Sequence, residues 1–167
     1  MLFEKLGLIA PIQEAVTELG YTKPTPVQSK VIPLVLEGKD VMATAQTGTG
    51  KTAAYALPLL QILSKKTQKS TTKKVVRALI LVPTRELASQ VALNVQAYGK
   101  NLELTIGAIY GGVKFTPQVK KLEKGIDAKT MASLAGVLTP AINRIKDTCK
   151  KTNTTLVLVN QVRSGLS

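Results

Sequence analysis

The sequence predicts an α/β fold, a mainly parallel sheet layered between helices, and three observations carry that expectation. Short apolar runs of strand length alternate with stretches of helical spacing. The run Ala78-Leu79-Ile80-Leu81-Val82 is apolar at every position, as a strand buried on both faces of a parallel sheet must be. Residues Ala45-Gln46-Thr47-Gly48-Thr49-Gly50-Lys51-Thr52 place two glycines and a Lys-Thr pair between an apolar segment and a helix-compatible run, the order expected of a phosphate-binding loop.

Taken in order, the elements follow from spacing and punctuation. Leu6, Ile9, Ile12, Val16 and Leu19 recur at helical intervals, so one amphipathic helix is expected, opened near Pro11 and closed by Gly20. Thr25-Pro26 reads as an N-cap with proline in the first helical position, starting a second helix that reaches about Leu36. The Gly38-Lys39-Asp40 turn leads into an expected strand, Asp40-Val41-Met42-Ala43-Thr44, before the loop, and Thr52 to Leu63 continues as helix. Leu87, Val91 and Val95 mark a helix after the apolar run at 78–82, and Thr105 to Tyr110 a further strand stopped by Gly111-Gly112. Met131, Leu134, Ala135, Leu138, Ile142, Ile145 and Cys149 form a long helical stripe that Pro140 is expected to kink. Asn153 breaks that stripe, and Thr155 to Val159 is the final strand, ending at Asn160-Gln161. No internal repeat is visible, and the strand order is open.

The bulk composition bounds the function. At 167 residues with 44% hydrophobic and 20% charged content, the chain reads as one domain, 1–167, with a real core. It shows no bilayer-length apolar run and no signal-peptide pattern, and its single cysteine, Cys149, has no disulfide partner. A cytoplasmic setting is expected. The absence of histidine excludes His-based catalysis and any ordinary zinc site. A net charge of +13 favours polyanions, with RNA or single-stranded DNA as expected partners of the basic surface. The bland reading of those lysines is a solvated surface. With only 4% aromatic residues, backbone contact is expected over base stacking.

The loop supplies the chemistry. Glycines let successive backbone N–H groups close around an anion at the positive end of the following helix. Lys51 would reach the β- and γ-phosphates of a nucleotide, and the Thr52 hydroxyl would sit on Mg²⁺.

From Leu2 to about Asp127 the chain resembles the first RecA-like domain of DEAD-box RNA helicases. Gly20-Tyr21-Thr22-Lys23-Pro24-Thr25-Pro26-Val27-Gln28 is similar to the Q motif, with Phe3 at the position of the upstream aromatic. Ala45 to Thr52 has the family's form of motif I, Pro83-Thr84-Arg85-Glu86-Leu87-Ala88 that of motif Ia, and Gly111-Gly112 that of the GG motif. The resemblance implies a three-layer P-loop fold with ATP and Mg²⁺ as cofactors. It implies that Gln28 reads the adenine edge, that Phe3 stacks on the ring and that Tyr21 joins the nucleotide site. It assigns Ala45, Gln46, Thr47, Gly48, Thr49, Gly50, Lys51 and Thr52 to the phosphates and metal, and Thr84, Arg85 and Gly112 to the RNA backbone. By residue type alone, Gln28 is a helix-surface glutamine, Phe3 a core aromatic and Arg85 a salt-bridged residue at a helix start.

Beyond Asp127 the helicase motifs stop: no Thr-Pro-Gly-Arg motif, Asp-Glu-Ala-Asp box or Ser-Ala-Thr motif follows. Lys129 to Ser167 instead resembles RecA-type recombinases, which would make Gln161 a γ-phosphate sensor and Arg163 the opening of a DNA-binding loop. Two family patterns in one domain imply a chimera, engineered in the favoured reading, of a helicase-like part (1–127) and a recombinase-like part (128–167).

Phosphoryl transfer also needs an acid at the carboxyl end of an apolar strand to hold the metal shell. Ten acids are present, and none follows such a strand; Asp40 precedes its expected strand. ATP binding with little or no hydrolysis is therefore expected. The alternatives are a basic nucleic-acid-binding module with a vestigial loop and a folded, inert chimera.

Overall fold

A computed structural model describes residues 2–65, 76–110, 128–132 and 138–159. They fall into two compact units, residues 1–72 with 93–104 and residues 73–92 with 105–167.

The first unit is helical. A 3-10 turn, Phe3–Leu6, ends at Gly7, whose φ of 73° is left-handed. Leu6 therefore belongs to this turn and not to the helix in which its spacing had placed it. Helix α1 (Ala10–Glu18) has Pro11 in its first turn, where a missing N–H costs nothing, and buries Ile12, Ala15 and Val16. It stops in a Schellman turn: Tyr21 N–H donates to Val16 O at 3.0 Å and Gly20 N–H to Thr17 O at 2.9 Å. Helix α2 (Pro26–Leu36) opens on a full capping box. Gln28 N–H donates to Thr25 Oγ1 at 3.4 Å, and the Gln28 carboxamide accepts from Thr25 N–H at 2.9 Å.

Helix α3 (Lys51–Lys65) packs against α2 and is apolar almost all round, so it is a core helix rather than a surface one. Pro58 lies in its interior and is fully buried. An interior proline costs roughly 3 kcal/mol through the lost hydrogen bond and ring crowding. Leu57, Leu59 and Leu60 are almost completely buried beside it, at about 1.5–3 kcal/mol each, which outweighs that cost.

The strand expected at Asp40–Thr44 is not formed. Residues 39–46 have no regular structure, Met42 is 98% exposed and Val41 is exposed. Its strand-like composition does not suffice, and the segment joins no ladder.

The second unit holds that sheet. Strands β1 (Ala78–Val82), β2 (Ile106–Ile109), β3 (Ala128–Ala132) and β4 (Thr155–Leu158) are all parallel, in the order β2-β3-β1-β4. Ile80 pairs with Thr130 on one side and Val157 on the other. The apolar run is thus the buried interior strand that its composition required, with Ala78, Ile80, Leu81 and Val82 buried. Helix α4 (Arg85–Tyr98) begins in this unit, capped by Thr84 Oγ1 accepting from Leu87 N–H at 3.2 Å. Helix α5 (Leu138–Lys151) precedes β4 and buries Cys149, whose thiol pKa is raised by burial.

The predicted helical stripe from Met131 is corrected here. Residues Ala128–Ala132 form β3, and the helix starts only at Leu138. Ladders on both sides of β3 override its weak strand propensity. Pro140 is the third residue of α5, where its absent N–H has no partner within the helix to lose, so no kink follows from it. Asn153, at φ 52°, takes the left-handed position after α5, and Thr154 N–H closes the turn on Cys149 O at 2.8 Å. Among the described residues no helix is long and apolar enough to cross a membrane.

Candidate phosphate-binding site

The predicted nucleotide residues Phe3, Tyr21, Gln28 and Ala45–Thr52 all belong to the first unit. Gly48 and Gly50 both have φ of 83°, a region closed to most side chains, which turns the loop into the start of α3. Ala54 N–H donates to Gly50 O at 3.1 Å, so the amides of Lys51, Thr52 and Ala53 precede the intrahelical ladder. They are the orphan donors of a helix N-terminus, and the helix dipole adds positive potential there. The fit to a phosphate is therefore one of backbone shape and charge.

The side chains hold this loop in a self-bonded state. The Lys51 ammonium donates to Ala45 O and, at 2.6 Å, to Gln46 O. Thr49 Oγ1 donates to Gln46 O at 2.7 Å. Lys51 must exchange two neutral carbonyls for phosphate oxygens when an anion enters. A phosphate oxygen carries the full opposite charge that a carbonyl lacks, so the exchange favours the anion.

Gln28 is 2% exposed, and its carboxamide is used at both ends. Its oxygen takes Thr25 N–H, and its Nε2 donates to Gly50 O at 3.2 Å. This single residue joins the cap of α2 to the last glycine of the loop. A Cβ on Gly50 would run into the same carboxamide, so a side chain here would have to adopt the left-handed φ and also move Gln28. To read an adenine edge Gln28 must give up one of these partners.

Phe3 is buried against Tyr21, with ring centroids 6.3 Å apart and planes at 30°. Tyr21, 36% exposed, carries the accessible aromatic face. Its hydroxyl shares a 3.0 Å hydrogen bond with that of Tyr98, and their rings lie 6.1 Å apart. Burial, then the Tyr21 hydroxyl beside it, raise the pKa of Tyr98.

Three contributors escaped the sequence reading. Gln61 is buried, its Oε1 accepting Ile9 N–H at 2.7 Å while Nε2 donates to Gly7 O at 2.8 Å. It pins the backbone that follows Phe3, and its signal was a lone polar residue in an apolar helix. Tyr98 supports Tyr21 and had no sequence signal. The Tyr55 hydroxyl, one turn into α3, is buried with no well-formed hydrogen bond among the described residues. Desolvation pushes its pKa up to about 12, opposed by the neighbouring Thr52 hydroxyl.

In the second unit, Thr84, Arg85 and Glu86 are exposed at the start of α4, immediately beyond the carboxyl end of β1. Gly112, Gln161 and Arg163 lie outside the described residues. Among the described residues no group of three acidic, cysteine or histidine side chains could hold a metal. A metal held at this loop would therefore rest on the Thr52 hydroxyl, with phosphate and water oxygens completing its shell.

A parallel sheet with helical crossovers and a glycine loop opening a helix defines the RecA-like class of α/β nucleotide-binding domains. The chain belongs to the DEAD/DEAH box helicase family, which it matches over residues 25–159. It is 46% identical over 124 residues to the ATP-dependent RNA helicase DeaD of Escherichia coli strain K12, covering 74% of this chain and 19% of that protein. It is 38% identical over 144 residues to the ATP-dependent RNA helicase CshA of Limosilactobacillus reuteri, covering 86% and 27%. The crystal structure of a hypothetical ATP-dependent RNA helicase from Sulfolobus tokodaii superposes with a TM-score of 0.67 at 28% identity, covering 89% of this chain and 49% of that one. The chain spans less than a third of the length of these two curated relatives.

Proposed function

We propose that this chain grips ATP with Mg²⁺ through the loop at 45–52 and contacts RNA through Thr84, Arg85 and Gly112, but turns ATP over slowly or not at all. The observation that carries the nucleotide half is the loop itself, two left-handed glycines opening α3 with Gln28 hooked onto Gly50. In this reading the backbone amides and Lys51 bind the phosphates, Thr52 touches the metal, and Gln28 with the Phe3–Tyr21 pair selects adenine. Bound Mg²⁺ would offset phosphate charge. Of the three residues outside the described set, Gln161 would sense the γ-phosphate, and Gly112 and Arg163 would meet the nucleic-acid backbone.

The slow-turnover half rests on the acids. No strand of the sheet is followed directly by one: β1 leads to Pro83-Thr84, β2 to Tyr110-Gly111, β3 to Ser133-Leu134 and β4 to Val159-Asn160. A composite origin, helicase-like to Asp127 and recombinase-like beyond, accounts for that gap. The helicase family match itself runs past that proposed join, to residue 159.

Titration with a fluorescent ATP analogue tests binding: saturable binding that Lys51→Ala abolishes is expected, and binding indifferent to that change would sink the proposal. Phosphate release in the presence of RNA should stay at background. Lys51-dependent turnover would reveal a metal-holding acid elsewhere in the chain. One observation favours the second reading, a nucleic-acid module with a vestigial loop: Lys51 is already satisfied by loop carbonyls. That reading requires salt-dependent RNA affinity that survives Lys51→Ala and ignores ATP.

A further inference from the structure

Helix α5 carries a set of cations with no role in the nucleotide site. Lys146, Lys150 and Lys151 are all exposed, while Ile145 and Cys149 turn the other way, half-buried and buried. Lys146 and Lys150 stand four residues apart, like charges on one helix face about 6 Å apart along the axis. Asp147 lies within reach by spacing of Lys150 and Lys151, yet no ion pair forms at any of the three lysines among the described residues. The helix dipole accounts for cations in the last turn. It does not account for Lys146, which lies before that turn.

The turn that follows extends the patch. Thr152 and Asn153 are exposed, and the turn is fixed to the start of β1 by Thr154 Oγ1 donating to Val76 O at 3.0 Å and Thr155 N–H donating to Arg77 O at 2.8 Å. The patch therefore sits at the amino ends of β1 and β4. Thr84 and Arg85 leave the opposite end of β1, five residues away, or roughly 16 Å at ~3.3 Å per residue.

We propose that the exposed face of α5 with the Lys150–Asn153 turn is a second contact surface for a nucleic-acid backbone, at the opposite end of the strands from Thr84 and Arg85. Lysines spaced one helical turn apart, without an ion-pair partner among the described residues, suit neighbouring phosphates of one strand. The small polar Thr152 and Asn153 let the strand approach. A membrane surface fits less well, since among the described residues no large apolar or aromatic side chain accompanies these lysines on the exposed face of the helix. The inference rests on the proposed RNA binding but not on ATP binding.

The test is fluorescence anisotropy with a labelled single-stranded RNA across a salt series. Replacing Lys146, Lys150 and Lys151 together by Gln should flatten the slope of log K against log salt by about 2, at ~0.7 for each phosphate no longer neutralised. Affinity at low salt should fall at least tenfold, with ATP-analogue binding and circular dichroism unchanged. The matching Lys→Arg triple variant should keep the wild-type slope, which separates lost charge from lost folding. A control triple replacement by Gln at the exposed Lys5, Lys30 and Lys39 should leave the slope within about half a unit of wild type. An unchanged slope in the α5 variant, or an equal loss in the control, overturns this surface and leaves the rest of the proposed function standing. Absence of salt-dependent RNA binding by the wild-type chain, or binding to phosphatidylserine vesicles in its place, overturns both.

Discussion

Gln28→Glu should turn the contact between α2 and the phosphate loop into a pH-dependent one. In the wild-type chain the carboxamide oxygen accepts from Thr25 N–H and the amide nitrogen donates to Gly50 O, at a site 2% exposed. A protonated carboxyl group has nearly the same shape and can make both bonds. Once ionised it keeps the Thr25 bond but sets a charged oxygen against the Gly50 carbonyl. One hydrogen bond is then broken, at about 1 kcal/mol, and a part-buried carbonyl is left facing a desolvated charge, for about 2–3 kcal/mol in all. Burial and the facing carbonyl raise the folded-state pKa of the new carboxyl above the ordinary ~4.3, outweighing the helix N-terminus that favours the anion. The native state therefore holds a proton that the unfolded chain releases. Relative to wild type, the variant should be near neutral in stability below about pH 4 and lose stability as pH rises through the folded pKa. Urea unfolding followed by circular dichroism from pH 4 to 8 measures the difference. The full cost should appear at the upper end, with a melting temperature lower by roughly 4–10 °C. A stability difference that does not change with pH, or one below about 0.5 kcal/mol at pH 8, would refute the bridging role of this residue.

Tyr55→Phe should stabilise the chain by about 1 kcal/mol in urea melts at neutral pH, because it removes a buried hydroxyl without a proper partner. The wild type should also lose stability between about pH 10 and 12, since Tyr55 in the unfolded chain ionises at its ordinary value while the folded one keeps its proton up to about 12. The Phe variant should lose less over that window, and an identical alkaline profile would count against the assignment. Gly50→Ala should cost at least 1–2 kcal/mol from its left-handed φ alone and displace Gln28 as well. Thermal unfolding together with ATP-analogue titration should show a decrease in both, and a wild-type melt would contradict the loop geometry.

Residues with local causes were the legible ones. Thr25-Pro26 announced α2 because an N-cap and a following proline act within four residues, and the capping box formed as the spacing required. The 78–82 run announced its own burial, since five apolar residues in succession leave neither face of a strand suited to water. Gly48 and Gly50 sit where the loop motif put them. The failures share a different cause. Asp40–Thr44 has strand composition but joins no ladder, and Ala128–Ala132 lacks such composition yet is held between two strands. Strand formation depends on distant neighbours, which spacing cannot reveal.

The candidate site divides in the same way. Sequence by itself determined which chemical groups are present: a glycine loop with Lys51 and Thr52, a glutamine at position 28, a large positive charge and only ten acids. Those are covalent facts, fixed before folding. Tertiary structure alone decided what each group is doing. It buried Phe3 and left Tyr21 accessible, spent both ends of Gln28 on Thr25 and Gly50, folded Lys51 onto the loop's own carbonyls and set the lysines of α5 out at the surface. Hydrogen bonds and burial join residues far apart in the chain, so their outcome exists only once the chain has closed on itself.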